Sequence, residues 1–173
     1  KALGASTDTV IVDLEDAVPA DDKDVARSHL EQSLAPESTR SIWLRINAPG
    51  TVWHESDVSH AASLPVSAIM VAKSEDADVL QAIRKTLTPS QLLIALVESA
   101  KGVQNCEAIA AASDRMAFGS IDFALDIGSD HARDALSFAR SRLVIAARAA
   151  RQPAPLDGVT TAVGDTSLIA DDA

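Results

Sequence analysis

Apolar and β-branched residues come in short runs along this chain, and five of those runs close on charged or amide side chains. They are Thr9-Val10-Ile11-Val12-Asp13-Leu14-Glu15-Asp16, Ile42-Trp43-Leu44-Arg45-Ile46-Asn47, Ala68-Ile69-Met70-Val71-Ala72-Lys73, Leu92-Leu93-Ile94-Ala95-Leu96-Val97-Glu98 and Met116-Ala117-Phe118-Gly119-Ser120-Ile121-Asp122. A strand that is apolar on both faces is buried on both, as in a parallel sheet covered by helices, and polar groups then collect where it emerges. Between the runs the spacing turns helical. Residues 21–34 carry Val25, Leu30 and Leu34; 75–87 carry Val79, Leu80, Ile83 and Leu87; 103–112 carry Ile109 among alanines; 134–151 carry Leu136, Ala139, Leu143, Ala146 and Ala147. Pro36, Pro49-Gly50, Pro65, Pro89 and Pro153/Pro155 punctuate the intervals. Strands alternating with helices predict an α/β fold on a parallel sheet. A sixth, weaker strand is expected around residues 156–161, Leu168-Ile169-Ala170 begins another helix, and Lys1-Ala2-Leu3 reads as the tail of one.

Side-chain alternation tests whether the polar endings meet. Ile11, Asp13 and Glu15 share one parity, as do Trp43, Arg45 and Asn47; Ile69, Val71 and Lys73; and Leu92, Ile94, Leu96 and Glu98. The opposite parity is wholly apolar and suits packing under helices. The convergent set is therefore Asp13, Glu15, Arg45, Asn47, Lys73 and Glu98, with Asp122 just past its strand and Asp16 on a loop. Several carboxylates in one place repel unless protonated, paired or metal-bound. Oxygen ligands without a His or thiolate cluster favour Mg²⁺, or Mn²⁺ in its place, over zinc. A hard cation beside Arg45 suits a small dicarboxylate or 2-oxo acid. A blander account of each piece also exists. Acids at a strand end can cap the next helix, Arg45 and Lys73 can serve only as ion-pair partners, and Gly119–Asp122 admits a plain turn.

Composition narrows the class. The chain has 173 residues, 47% of them hydrophobic, which suits one domain with a sizeable core. Its net charge of −10 repels a nucleic-acid backbone, and two Trp and three Phe make no base-stacking platform. The apolar runs are too short to span a membrane, and no signal-peptide core is visible, so a cytoplasmic protein is the expectation. Cys106 reads as a structural thiol, and His29, His54, His60 and His131 lack close metal-ligand spacing.

Taken in order, Asp-Leu-Glu-Asp-Ala-Val at 13–18, Arg-Ile-Asn at 45–47, Lys-x-Glu at 73–75, Val-Glu-Ser-Ala-x-Gly at 97–102 and Phe-Gly-Ser-Ile-Asp-Phe-Ala at 118–124 resemble the citrate lyase beta subunit-like branch of the HpcH/HpaI aldolase family. The later Ala139-Arg140-Ser141 and Leu156-Asp157-Gly158-Val159 resemble it too. The resemblance implies a TIM-type (β/α)₈ barrel, incomplete here with about six βα units in a single domain over residues 1–173. On that resemblance, the first strand and the C-terminal strand and lid expected of the family fall outside residues 1–173. It implies carbon–carbon lyase chemistry on a citryl-, citramalyl- or malyl-thioester, giving a 2-oxo acid such as oxaloacetate, pyruvate or glyoxylate and an acetyl-thioester. Glu98 and Asp122 would be the Mg²⁺ ligands; Arg45, with Asn47 and Lys73, would bind substrate; Glu15 and Asp16 would orient metal-bound water. The partner would be a CoA or acyl-carrier-protein thioester, and the assembly a homo-oligomer, often a trimer. Ala72 stands where the family commonly has proline and Ser99 where threonine is usual. Two alternatives stay open: a Mg²⁺-dependent pyruvate-class aldolase on free hydroxy-oxo acids, and a non-catalytic subunit that binds metal and oxo acid.

Overall fold

A computed structural model describes residues 7–34, 41–161, 164 and 166–172. The expectations for Lys1–Leu3 and Pro36 fall outside them. Five strands form one parallel sheet in sequence order: β1 (Thr9–Asp13), β2 (Ser41–Ile46), β3 (Ala68–Val71), β4 (Leu92–Val97) and β5 (Arg115–Phe118). Eight helices accompany them: α1 (Lys23–Ser33), entered through a 3₁₀ turn at Ala20–Asp22, α2 (His54–Ser63), α3 (Ala77–Thr86), α4 (Ala100–Gln104), α5 (Cys106–Ala111), α6 (Ser120–Ile127), α7 (Arg133–Ala149) and α8 (Thr166–Asp172). Neighbouring strands in unbroken order, each followed by helix, make an arc of a βα barrel rather than a doubly wound sheet, whose order would reverse.

The helix-covered face holds most of the core. Leu14, Leu44, Ile46, Ile69, Val71, Leu93, Ala95, Val97 and Met116 pack there against Leu30, Val58, Leu80, Ile83, Ile109, Leu136 and Leu143. A second, smaller cluster of Ala68, Met70, Ile94, Leu96 and Ala117, joined by Trp43 and Leu156, lines the concave face. This corrects the parity expected for β3. Arg45 lies beside Met70 and Met70 beside Ile94 in the strand register, so Met70 faces inward while Ile69 and Val71 lie under the helices. An all-apolar strand carries no polar marker of its two faces, and its four residues are all buried. Strand parity does not set the direction of Lys73, because the chain has left the strand by then and turns at Lys73 itself, with φ +47°.

Other departures are local. The sixth strand is reduced to one bridge: Leu156 pairs with Ala117, its N–H donating to Met116 O and its carbonyl accepting from Phe118 N. The helix expected at 103–112 is two short ones that meet at Asn105, whose amide donates to Glu75 O at 2.9 Å. Helix α2 was not anticipated, since it buries His54, Asp57, Val58 and Ala61 rather than an apolar stripe. Gly119–Asp122 is not a plain turn but the start of α6, which Gly128 closes in the left-handed conformation at φ +66°. Among the described residues no helix is long and apolar enough to cross a membrane.

Candidate functional site

The acidic end of β1 is shaped by its first carboxylate. Asp13 accepts hydrogen bonds from the amides of Glu15 (2.8 Å) and Ala17 (3.0 Å), folding the following residues into a tight loop. Arg45 on β2 is the register partner of Asp13 and grips it with two bonds, Nε to Oδ1 at 2.8 Å and Nη2 to Oδ2 at 2.5 Å. Its remaining nitrogen, Nη1, lies 3.1 Å from Glu15 Oε2 and 3.3 Å from Asp16 Oδ2. The first of these contacts lacks hydrogen-bonding angles, so Glu15 Oε2 is a buried oxygen without a hydrogen bond. Three acids thus form a collar around one guanidinium. Burial opposes the charge on Arg45, but Asp13, Glu15 and Asp16 outweigh it and raise the arginine above its ordinary value. Burial would also push Asp13 up, yet the Arg45 and amide hydrogen bonds hold it below the usual carboxylate range. Glu15 moves the other way: burial raises it, and attraction to Arg45 is partly cancelled by repulsion from Asp16 and Asp13.

Glu98 stands across from this collar, one residue beyond β4 and only 3% exposed. Its carboxylate accepts the Lys73 backbone N–H at 2.7 Å, a bond that the left-handed turn at Lys73 makes available. Burial first, then repulsion from Glu15 and Asp122, push Glu98 up to about 7, against the opposing pull of the Lys73 amide and Arg45. The carboxylate fits because residue 119 is glycine: a β-carbon there would lie 2.4 Å from Glu98 Cβ and 2.5 Å from Oε2. Gly119 N–H donates to Val97 O at 2.9 Å and thereby sets α6, with Asp122 in its first turn, beside Glu98. Asp13, Asp16, Arg45, Glu98 and Asp122 all line one cleft of about 480 Å³ whose apolar wall includes Met70, Leu96 and Leu156. It opens at the C-terminal ends of the strands, where βα-barrel enzymes carry their sites. Among the described residues no three His, Cys, Asp or Glu side chains converge into a complete metal cage. A cation held by Glu98 and Asp122 would keep water ligands, which is the habit of Mg²⁺.

Two of the expected residues sit differently. Lys73 has an exposed side chain lining a neighbouring cleft of about 340 Å³ with Glu15, Asp16 and Trp53, while its backbone serves Glu98. Asn47 is 2% exposed, and its side chain turns away from Arg45 because β2 has already ended at Ile46. Its amide nitrogen donates to Leu14 O (3.1 Å) and Asp57 Oδ2 (2.6 Å), and its oxygen accepts from Lys23 Nζ at 2.7 Å. An amide so occupied supports the loop from beneath. Sequence reading missed Lys23 and Asp57, whose charges look like those of any solvated helix. It also passed over His131, which lies 2.9 Å from Ser120 Oγ. Cys106 is buried, as expected of a structural thiol.

The sequence is 35% identical over 170 residues to a (3S)-malyl-CoA thioesterase of Cereibacter sphaeroides, a match covering 95% of this chain and 59% of that protein. The fold superposes on RipC from Yersinia pestis with a TM-score of 0.84 at 30% identity, covering 98% of this chain and 78% of that one. Against CitE from Mycobacterium tuberculosis in complex with magnesium, acetoacetate and coenzyme A, the TM-score is 0.82 at 31% identity, covering 96% of this chain and 62% of that one. The chain thus spans about 59% of the length of the first curated relative. The family model for HpcH/HpaI aldolase/citrate lyase matches residues 1–173, and the chain belongs to that family.

Proposed function

We propose that this chain carries the metal and oxo-acid site of a Mg²⁺-dependent carbon–carbon lyase that acts on a citryl-, citramalyl- or malyl-thioester. The observation that carries this reading is Glu98: a carboxylate 3% exposed, pushed up to about 7, with Glu15 and Asp122 adding repulsion and, among the described residues, only a backbone amide to donate to it. Such an arrangement is costly in the bare protein and is relieved by a divalent cation. The donor set fits Mg²⁺, and Glu98 and Asp122 would hold it. That magnesium and oxo acids are bound by CitE proteins of this fold supports the assignment.

Mg²⁺ would supply Lewis acidity at the oxygen where charge develops as the carbon–carbon bond breaks. Arg45, already fixed by Asp13, would hold the carboxylate of the 2-oxo acid through Nη1, the nitrogen least committed to the protein. Glu15 and Asp16 would orient water at the cation. The apolar wall of Met70, Leu96 and Leu156 limits water around the acyl part. Lys73, next to Glu15, would add a positive charge at the mouth, where the thioester arm of CoA or an acyl-carrier protein enters. Homo-oligomer formation belongs to the same reading, with Phe138, Val144 and Ile145 on α7 as exposed apolar surface.

Titration calorimetry of Mg²⁺ with oxaloacetate or pyruvate into wild type and Glu98→Ala tests the reading. Equal binding by both proteins sinks the ligand assignment. Thioester hydrolysis is a second reading, favoured by the similarity to a malyl-CoA thioesterase. Malyl-CoA separates the two: a lyase releases glyoxylate and leaves the thioester intact, whereas hydrolysis releases free thiol and malate.

A further inference from the structure

A buried cation lies under the acid loop. Lys23, at the start of α1, is 5% exposed, and its ammonium donates to Leu14 O, Glu15 O and Asn47 Oδ1, each at 2.7 Å. The Trp53 ring covers it, with the centroid 5.1 Å away. Three donors meet three acceptors, and none of these is a carboxylate. A buried ammonium without a direct counter-ion is a poor way to gain stability, because an apolar side chain of similar volume avoids the desolvation. What an apolar side chain lacks is the power to fix two successive carbonyls in space.

The network behind Lys23 points the same way. Asn47 hands its two amide hydrogens to Leu14 O and Asp57 Oδ2, and Asp57, fully buried, also accepts Asn47 N (3.0 Å) and Arg27 Nη1 (2.6 Å). Helix α1, helix α2 and the end of β2 are thus tied together, and the tie terminates on the main chain of Leu14 and Glu15. Those residues set where the Glu15 carboxylate and its neighbour Asp16 stand relative to Arg45 Nη1, at 3.1 and 3.3 Å. A displacement of one ångström removes either contact.

We propose that Lys23 is a positioning residue: by holding the Leu14 and Glu15 carbonyls it places the acid collar that aims Arg45 at its oxo acid. The proposal rests on the reading of Arg45 and the cleft given above. Lys23 touches neither the Glu98 nor the Asp122 carboxylate, and Glu15 and Asp16 would reach the cation only through water, so its removal falls chiefly on anion binding and leaves cation binding largely intact. It also lines the cleft shared with Trp53 and Lys73, through which a small amine can reach the vacated place.

The experiment is calorimetry on the whole 173-residue chain, with Mg²⁺ alone and then pyruvate at saturating Mg²⁺, for wild type, Lys23→Met and Lys23→Ala. Lys23→Met is expected to bind Mg²⁺ within about two-fold of wild type and pyruvate at least ten-fold more weakly, the usual range for lost support of a ligating group. Lys23→Ala should lose the same, and n-propylamine, the atoms deleted, should restore pyruvate affinity. Pyruvate binding within two-fold of wild type in either variant overturns the proposal. So does a parallel loss of Mg²⁺ and pyruvate binding without amine rescue, or failure of both variants to fold, since Lys23 would then serve the fold as a whole. A wild type that binds neither ligand removes the assignment of the cleft itself, and the proposal with it.

Discussion

Replacing Glu98 by glutamine should stabilise the metal-free protein, and the gain should grow with pH. The folded-state pKa of Glu98 is raised from the ordinary 4.5 to about 7. A raised value means that the folded form keeps a proton which the unfolded chain gives up. The stability linked to that proton is complete below pH 4.5 and is lost as pH rises through 7. At about 1.4 kcal/mol per pH unit, the difference between 4.5 and about 7 comes to about 3 kcal/mol at pH 8. Glutamine matches the protonated acid in shape and charge. Its oxygen can still accept the Lys73 amide, and its –NH₂ can face the Glu15 and Asp122 carboxylates that repel the native side chain. In EDTA, Glu98→Gln should therefore exceed wild type by about 1–3 kcal/mol at pH 8 and by about 1 kcal/mol or less at pH 5. For a domain of this size each kcal/mol moves the melting temperature by about 2–4 °C, so thermal melts at the two pH values resolve the effect. Mg²⁺ should raise the melting temperature of wild type and leave Glu98→Gln unmoved. A variant no more stable than wild type at pH 8, or a gain that is equal at both pH values, would refute the account of Glu98.

Substitutions at three further positions probe how the backbone builds the site. Gly119→Ala drives a β-carbon to within 2.4 Å of Glu98 Cβ while leaving the backbone relaxed at φ −82°; it should cost about 1–3 kcal/mol and weaken Mg²⁺ binding. Gly50→Ala, at φ +85° with nothing within 4 Å, should cost about 1 kcal/mol through backbone strain and leave Mg²⁺ titrations unchanged. Lys73 holds φ +47°, so Lys73→Gly should be about 1 kcal/mol more stable than Lys73→Ala in urea melts, reversing the usual order of those residues. The two should bind pyruvate equally, because both lack the ammonium.

Much of the site was legible because strand periodicity is a local code. Asp13, Arg45 and Glu98 lie within or immediately beyond strands with polar marks on one parity, and β1, β2 and β4 turn those marks inward. In β3 the same code gave the wrong face: its four residues are apolar and buried, its polar mark Lys73 lies beyond a turn and not directly after the strand as Glu98 does, and only the register that pairs Arg45 with Met70 and Met70 with Ile94 settles it. The code also stops where a strand stops. Asn47 and Lys73 were extrapolated past strand ends into residues whose direction is set by turns, and one went under the loop while the other served Glu98 through its main chain.

By itself the sequence determined the alternation of strand and helix, the parallel sheet and the set of acids and cations at its polar end, since each follows from residues within a few positions of one another. The tertiary structure decided which of those groups meet. The grip of Asp13 on Arg45, the pressure on Glu98 from Glu15 and Asp122, and the buried tie from Arg27 through Asp57 and Asn47 to Lys23 join residues more than nine apart, up to 83 in the case of Glu15 and Glu98. Their strength comes from shared burial, which no single segment has until the others have packed around it.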